Sequence, residues 1–261
     1  MKVVIFGASG ATGQELVKQA LAAGHEVTAF ARDPATIASL GDVRTVQGDV
    51  RDRAAVSSTI DGQNAVLSAL GARSLTERGL LESAMANIIV GMTEHGVRRI
   101  VVLGAAGALH DANKYQSVTT KLVYWIIRRT LLKNPLDDQA AQERLIEASD
   151  LAYTVVYPPR LANGPRTGSY RVQGDGLPPH GSRIARADVA EFMVKELAVC
   201  RRERSDGLHD WGAAVGVGGL LAAPRDQHMA VSRTRQWISV VRGGRGPSLL
   251  LNRPGTRYGS A

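Results

Sequence analysis

The feature that most limits what this chain can fold into lies at its start. Lys2-Val3-Val4-Ile5-Phe6 is a short apolar, β-branched run, Gly7-Ala8-Ser9-Gly10-Ala11-Thr12-Gly13 carries a glycine at every third position, and Gln14 to Leu21 has apolar residues at helical spacing. That order reads as strand, tight turn and helix. Gly7 would let the chain turn sharply out of the strand. Gly10 would remove a side chain where a ligand lies against main chain, and Gly13 would let helix and strand pack closely. The N–H groups and positive dipole end of a helix N-terminus suit phosphate. The stretch therefore predicts a dinucleotide site with Gly7, Ser9, Gly10, Ala11, Thr12 and Gly13 around the diphosphate; the plain alternative is a glycine-rich turn without a ligand.

The following segments extend the pattern. Glu26 to Ala31 reads as a second strand after Gly24-His25 closes the first helix. A site for NAD would place a carboxylate at the end of that strand for the ribose hydroxyls, whereas this chain has Arg32, a cation suited to a 2′-phosphate. The expectation is NADP, with NADPH preferred over NADH; Asp33 follows directly, and an ordinary exposed arginine is the rival reading. Val43 to Gln47 alternates like a strand and ends in Gly48-Asp49-Val50. A carboxylate there can accept from an adenine amino group, and Asp49 could equally cap a helix over residues 51–60. A fourth strand, 64–68, ends in Ser68-Ala69-Leu70-Gly71, small enough to lie close to a sugar-phosphate. A helix over 76–95 and a fifth strand over 98–103 follow, the latter closed by Gly104-Ala105-Ala106-Gly107.

This alternation predicts an α/β fold, a doubly wound parallel sheet with ligands beyond the C-terminal strand ends. Residues 115–133 read as a helix whose apolar stripe is more simply core than pocket, ended by Asn134-Pro135. Helix 136–148 and strand 153–157 come next, and Pro158-Pro159 stops the strand. Gly168 to Val172 suggests a short strand in a small C-terminal lobe on the substrate side, before a helix over 184–198.

Composition narrows the partners. The single cysteine, Cys200, excludes an internal disulfide, and no apolar run reaches the roughly 18 residues of a membrane span. With no basic and apolar leader ahead of the first strand, a cytoplasmic protein without membrane contact is expected. The net charge is +8, but ten arginines against Glu203, Asp206, Asp210 and Asp226 put six of those charges beyond residue 199. A nucleic-acid partner is therefore not expected for the folded part, and the basic tail carries no nucleic-acid motif. The expected division is a nucleotide-binding domain over 1–199 and an Arg/Gly-rich tail over 200–261, poorly ordered and outside the fold.

Several blocks fall in the order of a known family. Residues 7–13, Ala31-Arg32-Asp33-Pro34, Gly48-Asp49-Val50, Tyr157-Pro158-Pro159-Arg160-Leu161 and Ile184-Ala185-Arg186-Ala187-Asp188-Val189-Ala190 resemble the atypical short-chain dehydrogenase/reductases. Closest are the NAD(P)H-binding NmrA-like proteins and the biliverdin reductase B, or flavin reductase, type. The resemblance covers residues 1 to about 198. It implies an NAD(P)-binding Rossmann fold, supports the adenine role of Asp49, and puts the nicotinamide near Gly104 to Gly107, with Gly104 and Ala105 as cofactor-binding residues, and at the turn after Tyr157, with Pro158. Members often carry Arg where Tyr157 stands and Ser where Ala185 stands.

The chain lacks the Tyr-x-x-x-Lys pair of ordinary short-chain reductases, in which lysine lowers the tyrosine's pKa for proton transfer. Four residues past Tyr115 is Thr119, and four past Tyr124 is Arg128. Nor does Gly104 to Gly107 supply a serine partner. Catalytic residues are thus unassigned, with Tyr115, Lys121 and His180 as weak donor candidates and no metal site expected. The expected function is hydride transfer from NADPH to a small conjugated acceptor such as a flavin or quinone. The alternative is a non-catalytic NADP(H)-sensing regulator of NmrA-like type.

Overall fold

A computed structural model describes residues 1–71, 78–105, 133–173, 183–198 and 237–242. The first half alternates strand and helix: β1 (Lys2–Phe6), α1 (Ala11–Ala22), β2 (Glu26–Ala31), β3 (Arg44–Gln47), α2 (Arg53–Ile60), β4 (Ala65–Ser68), α3 (Leu80–Glu94) and β5 (Arg99–Leu103). It continues with α4 (Lys133–Ala148), β6 (Ala152–Tyr157), β7 (Arg160–Ala162), β8 (Tyr170–Gln173), β9 (Arg183–Ala185), α5 (Arg186–Glu196) and β10 (Trp237–Arg242). The main sheet runs β3-β2-β1-β4-β5-β6-β10-β8, parallel throughout except for the β10–β8 pair, and β7 and β9 form a separate parallel pair. Order 3-2-1-4-5-6 is that of a doubly wound Rossmann sheet, with its topological switch between β1 and β4.

Both faces of this sheet are covered, so its central strands need apolar residues at successive positions rather than in alternation. β1 shows the division. Val3 and Ile5 pack with Leu16, Val17 and Ala20 of α1 and with Val189, Ala190 and Met193 of α5. Val4 and Phe6 face the other way, into Val56 and Ile60 of α2, Met85, Ile88 and Met92 of α3, and Ile146 of α4. Each of these Val, Leu, Ile, Phe and Met side chains, once buried, contributes about 1.5–3 kcal/mol.

Helix ends are fixed by identifiable groups. Gly24 adopts φ +76°, and His25 N–H returns to the Ala20 carbonyl at 3.0 Å. Gly96, at φ +68°, ends α3 in the same way, with Val97 N–H on Met92 O at 2.8 Å. The N-terminus of α3 is capped from a distance: the buried Asp138 of α4 accepts from Leu81 N–H at 2.9 Å and Glu82 N–H at 3.0 Å. Across the second half, the buried Arg99 of β5 donates to Thr154 Oγ1 of β6 at 2.8 Å and to the Glu196 carbonyl of α5 at 2.7 Å.

Some boundaries differ from expectation. The helix beginning at Lys133 includes Asn134-Pro135 in its first turn, where proline's missing N–H costs no helical bond. The described part of α3 begins at Leu80, after Gly79 at φ +68°. Residues 184 and 185, read as helix from the sequence, join Arg183 in β9 before α5 begins. Trp237–Arg242 enters the sheet between β6 and β8, although no strand was foreseen beyond residue 199. The remainder of 200–261 and the helix expected over 115–132 lie outside the described residues. Among the described residues, no helix is long and apolar enough to cross a membrane.

Candidate functional site

The three glycines of the first turn have different neighbours. Gly7 sits at φ +76°, and a Cβ there would stand 2.7 Å from the Ala69 carbonyl oxygen. A Cβ at Gly13 would fall 2.1 Å from Gly7 O, so its absence lets α1 pack on the turn. Gly10 is exposed, and the nearest atom to its would-be Cβ is Gly7 O at 3.3 Å. The chain's own packing therefore demands far less of Gly10 than of its neighbours. Gly10 also caps α1 without any side-chain hydrogen bond, and the first closed helical bond at this end is Gln14 N–H to Gly10 O at 2.9 Å. The N–H groups of Ala11, Thr12 and Gly13 precede it, at the positive end of the helix.

Above this turn lies a cleft of about 460 Å³ at the C-terminal ends of the strands. One half is lined by Gly7, Ser9, Gly10, Ala11 and Thr12, with Phe30, Ala31, Arg32, Gly48, Asp49 and Val50. The other half is lined by Ala69, Leu70, Gly71, Leu80, Leu103, Leu161 and Arg186. Of the residues expected from sequence, Gly13, Ser68, Gly104, Ala105 and Pro158 do not line it. Gly13 and Gly104 act in packing, the latter because a Cβ would meet the Tyr157 ring at 2.7 Å. Ser68 is fully buried in β4, Pro158 is buried, and Ala105 is exposed beyond the strand end. Leu80, Leu103, Leu161 and Arg186 were not expected as lining residues; each comes from a different segment, and although Leu161 and Arg186 fall in blocks of the family resemblance, no local pattern marks any of the four as facing the cleft.

Two carboxylates beside the cleft have local roles. Asp33 Oδ1 accepts from Ala35 N–H at 3.0 Å and caps the short turn Pro34–Thr36. Asp33 is not among the lining residues; Arg32 is. Asp49 Oδ1 accepts from Arg51 N–H at 2.9 Å, an Asx turn that holds its side chain at the cleft. The cap of α2 is Asp52, which accepts from Ala54 and Ala55 N–H at 2.9 and 3.2 Å, so the capping role considered for Asp49 is corrected. Gln47 Nε2 donates to the Arg32 carbonyl at 3.1 Å, joining the ends of β2 and β3 under the cation.

The tyrosines described here are poor proton donors for this cleft. Tyr157 is fully buried, and burial, with Glu143 beside it, pushes its phenol far above the usual range. Burial in turn raises the Glu143 carboxyl. Lys195 stands 5.9 Å from the ring centroid of Tyr170, but its Nζ is paired with Glu191 at 2.9 Å and neither residue lines the cleft. Tyr115, Lys121 and His180 lie outside the described residues.

A second depression, about 600 Å³, lies between α2 and α3. It runs along α2 from Arg53 and Ala54 to Asp61 and meets the C-terminal end of α3 at Glu94 and His95. Its polar groups are mutually satisfied: Ser57 Oγ donates to Glu94 Oε2 at 2.7 Å, Arg53 Nη2 reaches Glu94 Oε1 at 2.7 Å, and His95 Nδ1 stands 3.3 Å from Asp61 Oδ1. These contacts hold the Glu94 carboxyl below its ordinary range and join two helices. Among the described residues, no group of histidine, cysteine and carboxylate side chains forms a metal site.

Sheet order, glycine turn and cleft together define a Rossmann-type nucleotide-binding protein. A model of the NAD(P)H-binding family matches residues 7–199, and the chain belongs to that family. YwnB of Bacillus subtilis (strain 168), an uncharacterised protein, is 30% identical over 203 residues, which cover 76% of this chain and 92% of YwnB. Among solved structures, ChuY, an anaerobillin reductase from Escherichia coli O157:H7, superposes with a TM-score of 0.64 at 20% identity, covering 95% of this chain and all of ChuY. A wide-type short-chain dehydrogenase/reductase from Veillonella parvula in complex with NADP gives 0.62 at 17% identity, covering 98% and 96% of the two chains. These two likenesses establish the fold.

Proposed function

We propose that this protein is an NADPH-dependent oxidoreductase that passes hydride to a small conjugated acceptor. The observation that carries the reading is the division of labour in the glycine turn. Gly7 and Gly13 serve the fold, while Gly10 opens toward the cleft beside uncapped helix N–H groups. A diphosphate fits that cradle. Asp49 and Val50 would hold the adenine end, with Ala69, Leu70 and Gly71 along the sugar-phosphate.

The preference for NADPH rests on Arg32. It lines the cleft, while the adjacent Asp33 carboxylate is engaged by a main-chain N–H and is turned to capping. An arginine can meet a 2′-phosphate with paired, charge-assisted hydrogen bonds. Bound NADPH supplies a hydride to the acceptor, which completes its reduction with one proton from water. The chain's own part is to bind, orient and shield. That assignment agrees with the missing Tyr-x-x-x-Lys pair and with the buried, high-pKa phenol of Tyr157. The name of the structural neighbour ChuY, an anaerobillin reductase, is compatible with a conjugated acceptor.

Titration of the purified protein with NADPH and NADH, followed by NADPH oxidation over a panel of flavins and quinones, tests the proposal. Tighter NADPH binding and steady turnover with at least one acceptor are expected. Failure to bind either nucleotide would refute it, and tight binding without turnover across the panel would favour an NADP(H)-sensing regulator.

A further inference from the structure

The cleft has a second lining cation, Arg186, whose position the cofactor reading leaves unexplained. Arg186 is half-buried at the first position of α5 and shares its part of the cleft with Leu103 and Leu161. Arg32 stands at the end of β2 and Leu103 at the end of β5, three strand spacings away, or about 14 Å. Leu161, four residues after the end of β6, pairs with Ile184 of β9, and Arg186 follows two residues on, so Arg186 is tied to the β5–β6 side of the cleft and Arg32 to the β2 side.

The only hydrogen-bond partner of Arg186 among the described residues is a neutral one: Nη1 donates to Asn163 Oδ1 at 2.6 Å. No carboxylate among those residues lies within ion-pair distance, although the neighbouring Arg166 and Lys195 both pair with Glu191. Nor does helix stability account for the residue. A cation in the first turn opposes the helix dipole, and the turn's own acid, Asp188, is committed to Thr167 and Gly168 N–H at 2.7 and 3.0 Å. The backbone beneath Arg186 is fixed, since Gln19 Nε2 of α1 donates to the Ala187 carbonyl at 2.6 Å. Fixed main chain, an orienting amide and an uncompensated guanidinium at an apolar wall describe a receptor for an oxyanion attached to an apolar body.

We propose that Arg186 is the specificity residue for the acceptor, selecting conjugated ring systems that carry a carboxylate, phosphate or sulfonate. This rests on the reductase reading above and adds the class of acceptor. The ring lies against Leu103 and Leu161, and its anionic arm reaches the guanidinium that Asn163 orients.

The test uses matched pairs, FMN against riboflavin and 1,2-naphthoquinone-4-sulfonate against 1,2-naphthoquinone. Kd is measured on the NADP-loaded full chain and KM in NADPH turnover, for the wild type, Arg186→Met and Arg186→Lys. The wild type should favour the anionic member of at least one pair. Arg186→Met should weaken that member roughly ten- to a hundredfold, the range of a charge-assisted hydrogen bond, and leave its neutral partner and the NADPH Kd within about twofold. Arg186→Lys should recover part of the preference. Equal losses for both members of a pair, no wild-type preference in either pair, or no binding of any of the four would overturn the inference. So would a matching loss of NADPH affinity, which would assign the oxyanion to the cofactor's diphosphate. Preferential binding of the anionic member without turnover would support the role of Arg186 while refuting the reductase reading.

Discussion

The two halves of the cleft are built in different ways. The half around Arg32 and Asp49 comes from one continuous stretch, residues 7–50, in which a strand, a turn and a helix bring their own ligand-facing groups with them. The half around Leu103 and Arg186 is gathered from five separated segments, each contributing one to three residues from or just beyond its own strand or helix. The first half is thus a local property of the chain. The second exists only once β4, β5, β7, α3 and α5 have been placed side by side.

The largest expected effect tests the second half. Arg99 ties β5 to β6 and to the end of α5 from inside the core, and its side chain is 8% exposed. Arg99→Ala should cost about 3–5 kcal/mol, because it removes a buried cation that stands 3.7 Å from the Glu196 carboxylate, itself only 6% exposed. Denaturant unfolding measures this. Hydrogen exchange should show protection lost in β6 and α5 before β1 and β2; uniform loss would remove the distinction between the halves.

The glycine pair sharpens the comparison within the first half. Gly13→Ala forces a Cβ to 2.1 Å from Gly7 O and should cost about 3 kcal/mol of stability. Gly10→Ala meets the same oxygen at only 3.3 Å, so it should cost about 1 kcal/mol or less while weakening NADPH binding at least tenfold. If Gly10→Ala left binding unchanged, the open face of that turn would have no ligand. Arg32→Asp should leave stability unaltered and reduce NADPH affinity about ten- to a hundredfold more than NADH affinity, as parallel titrations would read.

The smallest expected effect concerns Glu143, whose carboxyl is raised above its ordinary value of 4.5 mainly by burial. Its charged form is penalised in the folded chain, so the associated stability is complete below about pH 4.5 and declines as pH rises through the raised value. Glu143→Gln removes that penalty. It should raise Tm slightly at pH 7, with the gain vanishing at pH 4; an equal gain at both values would point to packing instead.

Much of the fold was legible in the sequence because it is encoded by short-range pattern. β1, β2, β4, β5 and β6 are apolar runs bounded by turn residues, and the closing positions Gly24 and Gly96 are local signals for helix ends. Shorter elements were missed for physical reasons. β7 and β9 have three residues each, too few to show a period, and each depends on the other for pairing. Trp237–Arg242 is a β-branched run in an Arg/Gly-rich tail, and only parallel pairing with β6 and antiparallel pairing with β8 makes it a strand. The sequence left Asp49 two roles, adenine contact or helix cap, because it stands just ahead of α2, and backbone geometry gave the cap to Asp52 instead.

By itself, then, the sequence determined the nucleotide-binding turn, the alternating α/β order and the cation at the end of β2, since each follows from neighbouring residues and main-chain sterics. Tertiary structure alone decided that Leu80, Leu103, Leu161 and Arg186 share one cleft and that Gly104 serves packing instead of lining it. The reason is distance along the chain: residues a hundred positions apart meet only through sheet order and helix packing, and no local pattern carries that information.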